Sequence, residues 1–183
     1  TYSHNSLYSY LIPFGKKWLA WFTLYNNKEC CFFIELNHNI IKHVSIKPVS
    51  FSKSLALNTL VYGVFIHHNF IIENIFYYKG ENLNNKNNRH KLVIYNDLFK
   101  YNLGSSRLVK SQVLFSLPVI KKTIQQFDYV DIPYKVYKLC YVKENEYVID
   151  KIPSSMVPIY HESFYVKADT INDIYMLYTK EKK

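Results

Sequence analysis

The sequence predicts an α+β protein in which antiparallel β-sheets dominate and a few helices fill in between them. Three observations carry that expectation. The chain pairs 18 Tyr and 12 Phe with only 4 Gly and 6 Pro, and many aromatics with little backbone punctuation suit strands joined by polar loops. The first half is a succession of short apolar runs separated by Asn-rich turns. Helical spacing of apolar residues first appears in the middle. At 183 residues the chain matches one domain on the usual scale of roughly 100–200 residues, and a single domain over 1–183 is expected. A hydrophobic fraction of 49% with 20% charged residues and a mean hydropathy of -0.16 excludes a disordered or collagen-like chain.

Taken in order, strands are predicted at Ser9–Ile12, Lys17–Tyr25, Cys30–Leu36, Ile40–Ile46, Thr59–His67 and Asn69–Tyr78. In the second, Trp18-Ala20-Phe22-Leu24 alternates with Leu19-Trp21-Thr23. Both sides are apolar, so both faces are expected to be covered. Asn26-Asn27-Lys28 and His68-Asn69 read as hairpin tips, and the whole as an antiparallel meander. Glu81–Asn88 is a polar loop. Arg89–Phe99 puts Leu92, Tyr95 and Leu98-Phe99 at helical spacing. Gly104-Ser105-Ser106 interrupts, and Val119–Phe127 is expected to be a second helix. Strands return at Tyr134–Val142, Tyr147–Ile149 and Ser163–Lys167, and a last helix or strand spans Asp173–Tyr178. Lys151–Pro158, with its two prolines, is the one linker-like segment.

A net charge of +9 and a pI near 9.3 fit a partner that carries phosphate. Part of that is coding bias: 21 of the 23 cations are Lys, and 17 Asn and 18 Ile accompany 3 Ala, as AT-rich codons dictate. Such bias does not unbalance Lys against the acids, so the surplus retains meaning. Cys30 and Cys31 are adjacent, hence on opposite faces of a strand, and Cys140 is remote. No zinc-type spacing links them. Reduced, packed thiols in a cytoplasmic compartment are expected. No apolar run reaches the roughly 18–20 residues of a membrane span, and no signal-peptide pattern opens the chain. A trimmed start is expected at Thr1.

Gly15 closes Pro13-Phe14-Gly15-Lys16-Lys17, a turn feeding a strand. Gly63 lies inside the strand Thr59-Leu60-Val61-Tyr62-Gly63-Val64-Phe65, where glycine costs stability unless a ligand or another backbone comes close. Gly80 ends Asn74-Ile75-Phe76-Tyr77-Tyr78-Lys79-Gly80. With Arg89-His90-Lys91-Leu92 opening the helix and Glu162-Ser163-Phe164-Tyr165-Val166-Lys167 late in the chain, this order resembles the covalent nucleotidyltransferase superfamily of capping guanylyltransferases and polynucleotide ligases. The similarity spans about residues 9–178. It implies a nucleotidyltransferase-like fold with a nucleotide-shaped cleft. The departures bear on chemistry. The superfamily's K-x-D-G nucleophile motif is here Lys16-Lys17-Trp18-Leu19-Ala20, its D-G-E is Tyr62-Gly63-Val64, and its next motif Asp is Asn74. Nucleophilic lysine and metal ions need those acids, so a non-catalytic scaffold is expected, without cofactor or metal. A similar history belongs to the trimethylguanosine-cap-binding domain of snurportin-type import adaptors, whose cap-stacking aromatic corresponds to Tyr78. The glycine-bearing blocks also resemble uncharacterised proteins of large DNA viruses.

The candidate ligand-binding residues are therefore Lys16, Lys17, Glu73, Tyr78, Lys79 and Lys167. A methylated guanine is a delocalised cation that stacks on an electron-rich ring, lysines meet phosphate, and a carboxylate such as Glu73 accepts from guanine N1 and N2. The partner expected is RNA or a capped 5′ end. An alternative is a structural or interaction subunit of a viral assembly, transcription or translation complex, with the aromatics at a protein interface. A third is an active enzyme using Lys16 or Lys17. Trp18 and Trp21 are expected on opposite faces of one strand, and His67-His68 at a hairpin tip.

Overall fold

The computed structural model describes residues 6–38, 40–106, 108–121 and 132–152 together with two later strands, Tyr165–Ala168 and Tyr175–Tyr178. It divides into two compact units, Thr1–Ile152 and Pro153–Lys183, and the boundary falls inside the linker-like two-proline segment. The described residues are mostly antiparallel β-structure with one α-helix, the α+β composition read from the sequence.

In the first unit the strands are β1 (Tyr8–Pro13), β2 (Lys17–Tyr25), β3 (Lys28–Asn37), β4 (Ile40–Ile46), β5 (Thr59–Ile66), β6 (Asn69–Tyr78), β7 (Glu81–Asn82), β8 (Leu114–Ser116), β9 (Ile120–Lys121), β10 (Val136–Val142) and β11 (Tyr147–Asp150). The larger sheet runs β4-β3-β2-β5-β6-β7, with β8 pairing β6 in parallel. The smaller runs β11-β10-β1-β9. Thus β2–β3–β4 and β5–β6–β7 are meanders as expected, but β1 belongs to a separate sheet. In the second unit β12 (Tyr165–Ala168) and β13 (Tyr175–Tyr178) form an antiparallel pair, so the final segment is a strand.

Hairpin chemistry follows the sequence closely. Asn26 and Asn27 both take positive φ, 50° and 59°, the two-residue turn whose twist matches its strands and which Asn tolerates. Lys79 and Gly80 do the same between β6 and β7. The main core lies on one face of the larger sheet, where Ala20, Phe22, Cys31, Phe33, Val61 and Phe70 meet Leu55, Leu83 and the helix residues Ile94, Tyr95 and Leu98. Each fully buried Phe contributes about 1.5–3 kcal/mol.

Three expectations are corrected. The second face of the larger sheet is covered only in part: Ala20 and Phe22 are fully buried, but Trp21 on the other face is 37% exposed. Helix α1 (Asn88–Asp97) begins where Asn87 Oδ1 accepts from His90 N at 2.9 Å. Its buried side chains include Lys91, Ile94 and Tyr95, while Leu92, expected inward from its spacing, is only partly buried. Ile120–Lys121 is strand β9, paired with β1, and not the start of a helix; positions 122–127 lie outside the described residues.

Candidate functional site

Between the two sheets of the first unit lies a cleft of about 350 Å³, lined by β2, β5 and β6 on one side and by β1, β10 and β11 on the other. Its floor is built by a backbone irregularity. The β5–β6 register shifts between Tyr62 and Gly63, leaving Glu73 as the extra residue of a β-bulge. A Cβ on Gly63 would stand 1.9 Å from the Ile71 carbonyl oxygen, so only glycine lets the strands approach there. That bulge re-aims Glu73 out of the ladder, the usual consequence of such an insertion. Gly63 is therefore explained by close approach of another backbone.

Glu73 lines the cleft, and its side chain is 8% exposed; Lys17 Nζ, from β2, donates to its Oε1 at 2.5 Å. Burial raises the Glu73 pKa above its usual range, more strongly than Lys17 lowers it. Four tyrosines, Tyr10, Tyr62, Tyr137 and Tyr147, surround this pair together with Phe76, Lys138 and Cys140. Tyr62 and Phe76 rings sit 6.1 Å apart. Tyr137 occupies the β10 side of a second irregularity, opposite Ile12 and Pro13. Its ring is 51% exposed, with Lys138 Nζ 4.9 Å from the centroid. Burial pushes the Tyr147 pKa up to about 12 and the Cys140 pKa up to about 11, and raises that of Tyr62 with help from Glu73. At neutral pH these groups keep their protons, and a protonated thiol is a poor nucleophile. The arrangement offers flat rings, a buried acceptor and cations, the equipment of a binding site. Its volume lies within the few hundred Å³ typical of small-ligand clefts. Among the described residues no group of three His, Cys, Asp or Glu side chains is placed to hold a metal ion.

The sequence-predicted residues are divided by this geometry. Lys17 and Glu73 meet at the cleft floor. Lys16 is exposed and pairs with Glu35 at 2.7 Å. Tyr78 is not a stacking platform: it belongs to the main core, its hydroxyl donates to Asp97, and Asn102 Nδ2 donates back to it at 3.0 Å. The reason is a further register shift, between Leu60 and Val61, which puts Ile75 and Tyr78 on the core side. Lys79 follows it away from the cleft, pairing with Asp97 at 3.2 Å. Lys167 is in β12 of the second unit. The cleft rings and cation that the sequence did not single out are Tyr10, Tyr62, Phe76, Tyr137, Tyr147 and Lys138. Tyr62 was within reach, because it neighbours the glycine that makes the bulge.

No family model matches the chain, and no curated protein matches it.

Proposed function

We propose that the chain is a non-catalytic binding module that holds a base of single-stranded RNA, including that of a capped 5′ end, in the cleft between its two sheets. The observation that carries this reading is the set of four tyrosines lining the cleft around the part-buried Lys17–Glu73 pair. Bases stack on such rings irrespective of sequence, at about 1–3 kcal/mol per base. Lys138 and the net charge of +9 supply phosphate attraction. The motif order described above supports a degenerate guanylyltransferase-like scaffold of viral type as the origin of the cleft. The test is an anisotropy titration of short capped and uncapped RNAs at low ionic strength. Binding is expected to weaken with added salt and with Tyr137→Ala, whose exposed ring can be removed without opening the core. Absence of binding to either RNA at low salt refutes the proposal.

A second reading has its own observation. On the face of the larger sheet opposite the core, Trp21, Phe32 and Tyr25 form an aromatic strip, and Val44 and Ile46 are about half exposed. Apolar patches of this kind mark protein interfaces. A subunit role in a larger complex predicts that Trp21→Glu abolishes co-purification of a partner while RNA binding persists.

A further inference from the structure

Resting on the proposal that the cleft takes a base, we infer that Glu73 and Asn74 read the edge of guanine, and that the buried Lys91 is the positioning residue that fixes the Asn74 amide. Asn74 follows Glu73 in the bulged segment and also lines the cleft. Its Oδ1 accepts from Ile75 N at 2.9 Å and from Lys91 Nζ at 3.2 Å. Both partners are donors only, so the amide has one orientation: oxygen inward, Nδ2 donors left for the cleft. Lys91 comes from α1, is 5% exposed, and has the Tyr147 ring 5.7 Å from its Nζ. A lysine buried to this degree is costly; holding Asn74 is a use for it.

The site thus presents a carboxylate beside an amide donor. A carboxylate has about four acceptor positions, and Lys17 occupies one of those on Oε1. Guanine alone among the common bases has two adjacent N–H donors, N1 and N2, next to an acceptor, O6. Glu73 takes the donors and Asn74 Nδ2 meets O6. Adenine places one donor beside one acceptor, cytosine one donor beside two acceptors, and uracil flanks its donor with two carbonyls, which a carboxylate repels. Hydrogen bonds to a charged group separate matched from unmatched ligands by roughly tenfold to a hundredfold.

The experiment is calorimetric titration of the whole chain with GMP, IMP and AMP. IMP keeps N1–H and O6 but lacks the N2 donors, so GMP is expected to bind about tenfold tighter than IMP, and AMP weakest. Asn74→Asp keeps acceptors for Ile75 N and Lys91 and gains an ion pair, so it folds, yet it sets an acceptor against O6. It is expected to cut GMP affinity about tenfold without weakening AMP, whose N6 donors stand where guanine has O6. Lys91→Met is expected to shrink the GMP-to-AMP ratio, whereas a merely structural role moves both affinities together. Equal affinities for GMP, IMP and AMP overturn the inference and leave base binding standing. No binding by any of the three overturns both. A full GMP preference in Asn74→Asp overturns the part assigned to Asn74 and Lys91.

Discussion

Replacing Gly63 by alanine tests how the cleft is made. The added Cβ would lie 1.9 Å from Ile71 O and 2.9 Å from both Ile71 C and Phe70 Cε1. Ordinary contact begins near 3.4 Å, so β6 has to retreat by 1.5 Å from β5. A ladder hydrogen bond does not survive that displacement, and Phe70 and Ile72, both essentially fully buried, lose their packing. Overpacking at about 1–3 kcal/mol and a broken buried hydrogen bond of similar cost together give about 3–5 kcal/mol of destabilisation. Urea unfolding is the assay, with a midpoint falling by roughly 2 M at the m-value of a small protein. Gly80→Ala is the internal comparison. There the Cβ meets only Leu57 O, at 3.4 Å, and the cost is the positive φ of 87°, about 1–2 kcal/mol. A Gly63→Ala protein within about 0.5 kcal/mol of wild type, or less affected than Gly80→Ala, would refute the bulge as the reason for the glycine.

Three other outcomes are expected. Glu73 has a raised pKa in the folded state, so the native protein binds its proton more readily than the unfolded chain does; stability falls as pH rises through the folded-state pKa, and Glu73→Gln flattens that slope in pH-dependent melting. Lys17→Met strands the buried carboxylate and costs about 3–5 kcal/mol at neutral pH, a loss expected to shrink in acid as Glu73 protonates; equal loss at both pH values contradicts the pairing. Tyr78→Phe removes the hydroxyl shared with Asp97 and Asn102 and costs about 1–3 kcal/mol in denaturant, with RNA affinity unchanged.

Much of the fold was legible because strand signals are local. The β2 and β6 ranges, the Asn26-Asn27 turn and the start of α1 follow from residue type and period. Bulges are not local in that sense. Two register shifts in the β5–β6 pair decide that Glu73 faces the cleft and that Tyr78 faces the core, and alternation counted along the sequence cannot locate them. Tyr78 and Lys79 lie away from the cleft for this reason, while Lys17 and Glu73 meet in it. The smaller sheet was equally hidden, since β1 pairs with β10 across more than a hundred residues. With it went Tyr137, Lys138 and Tyr147, whose contribution depends on that pairing. Lys91 was obscured by its type, because a lysine at an inward helical position reads as a solvated one until Asn74 is seen beside it.

The central claim is that a base sits between the sheets, and photo-crosslinking tests it where it occurs. An RNA carrying a thio-substituted 5′ guanine, irradiated with the intact protein and mapped by mass spectrometry, is predicted to label peptides containing Tyr62, Tyr137, Lys138 or Tyr147. Adducts confined to the Lys79 turn, or to the aromatic strip of Trp21, Tyr25 and Phe32, would contradict the account.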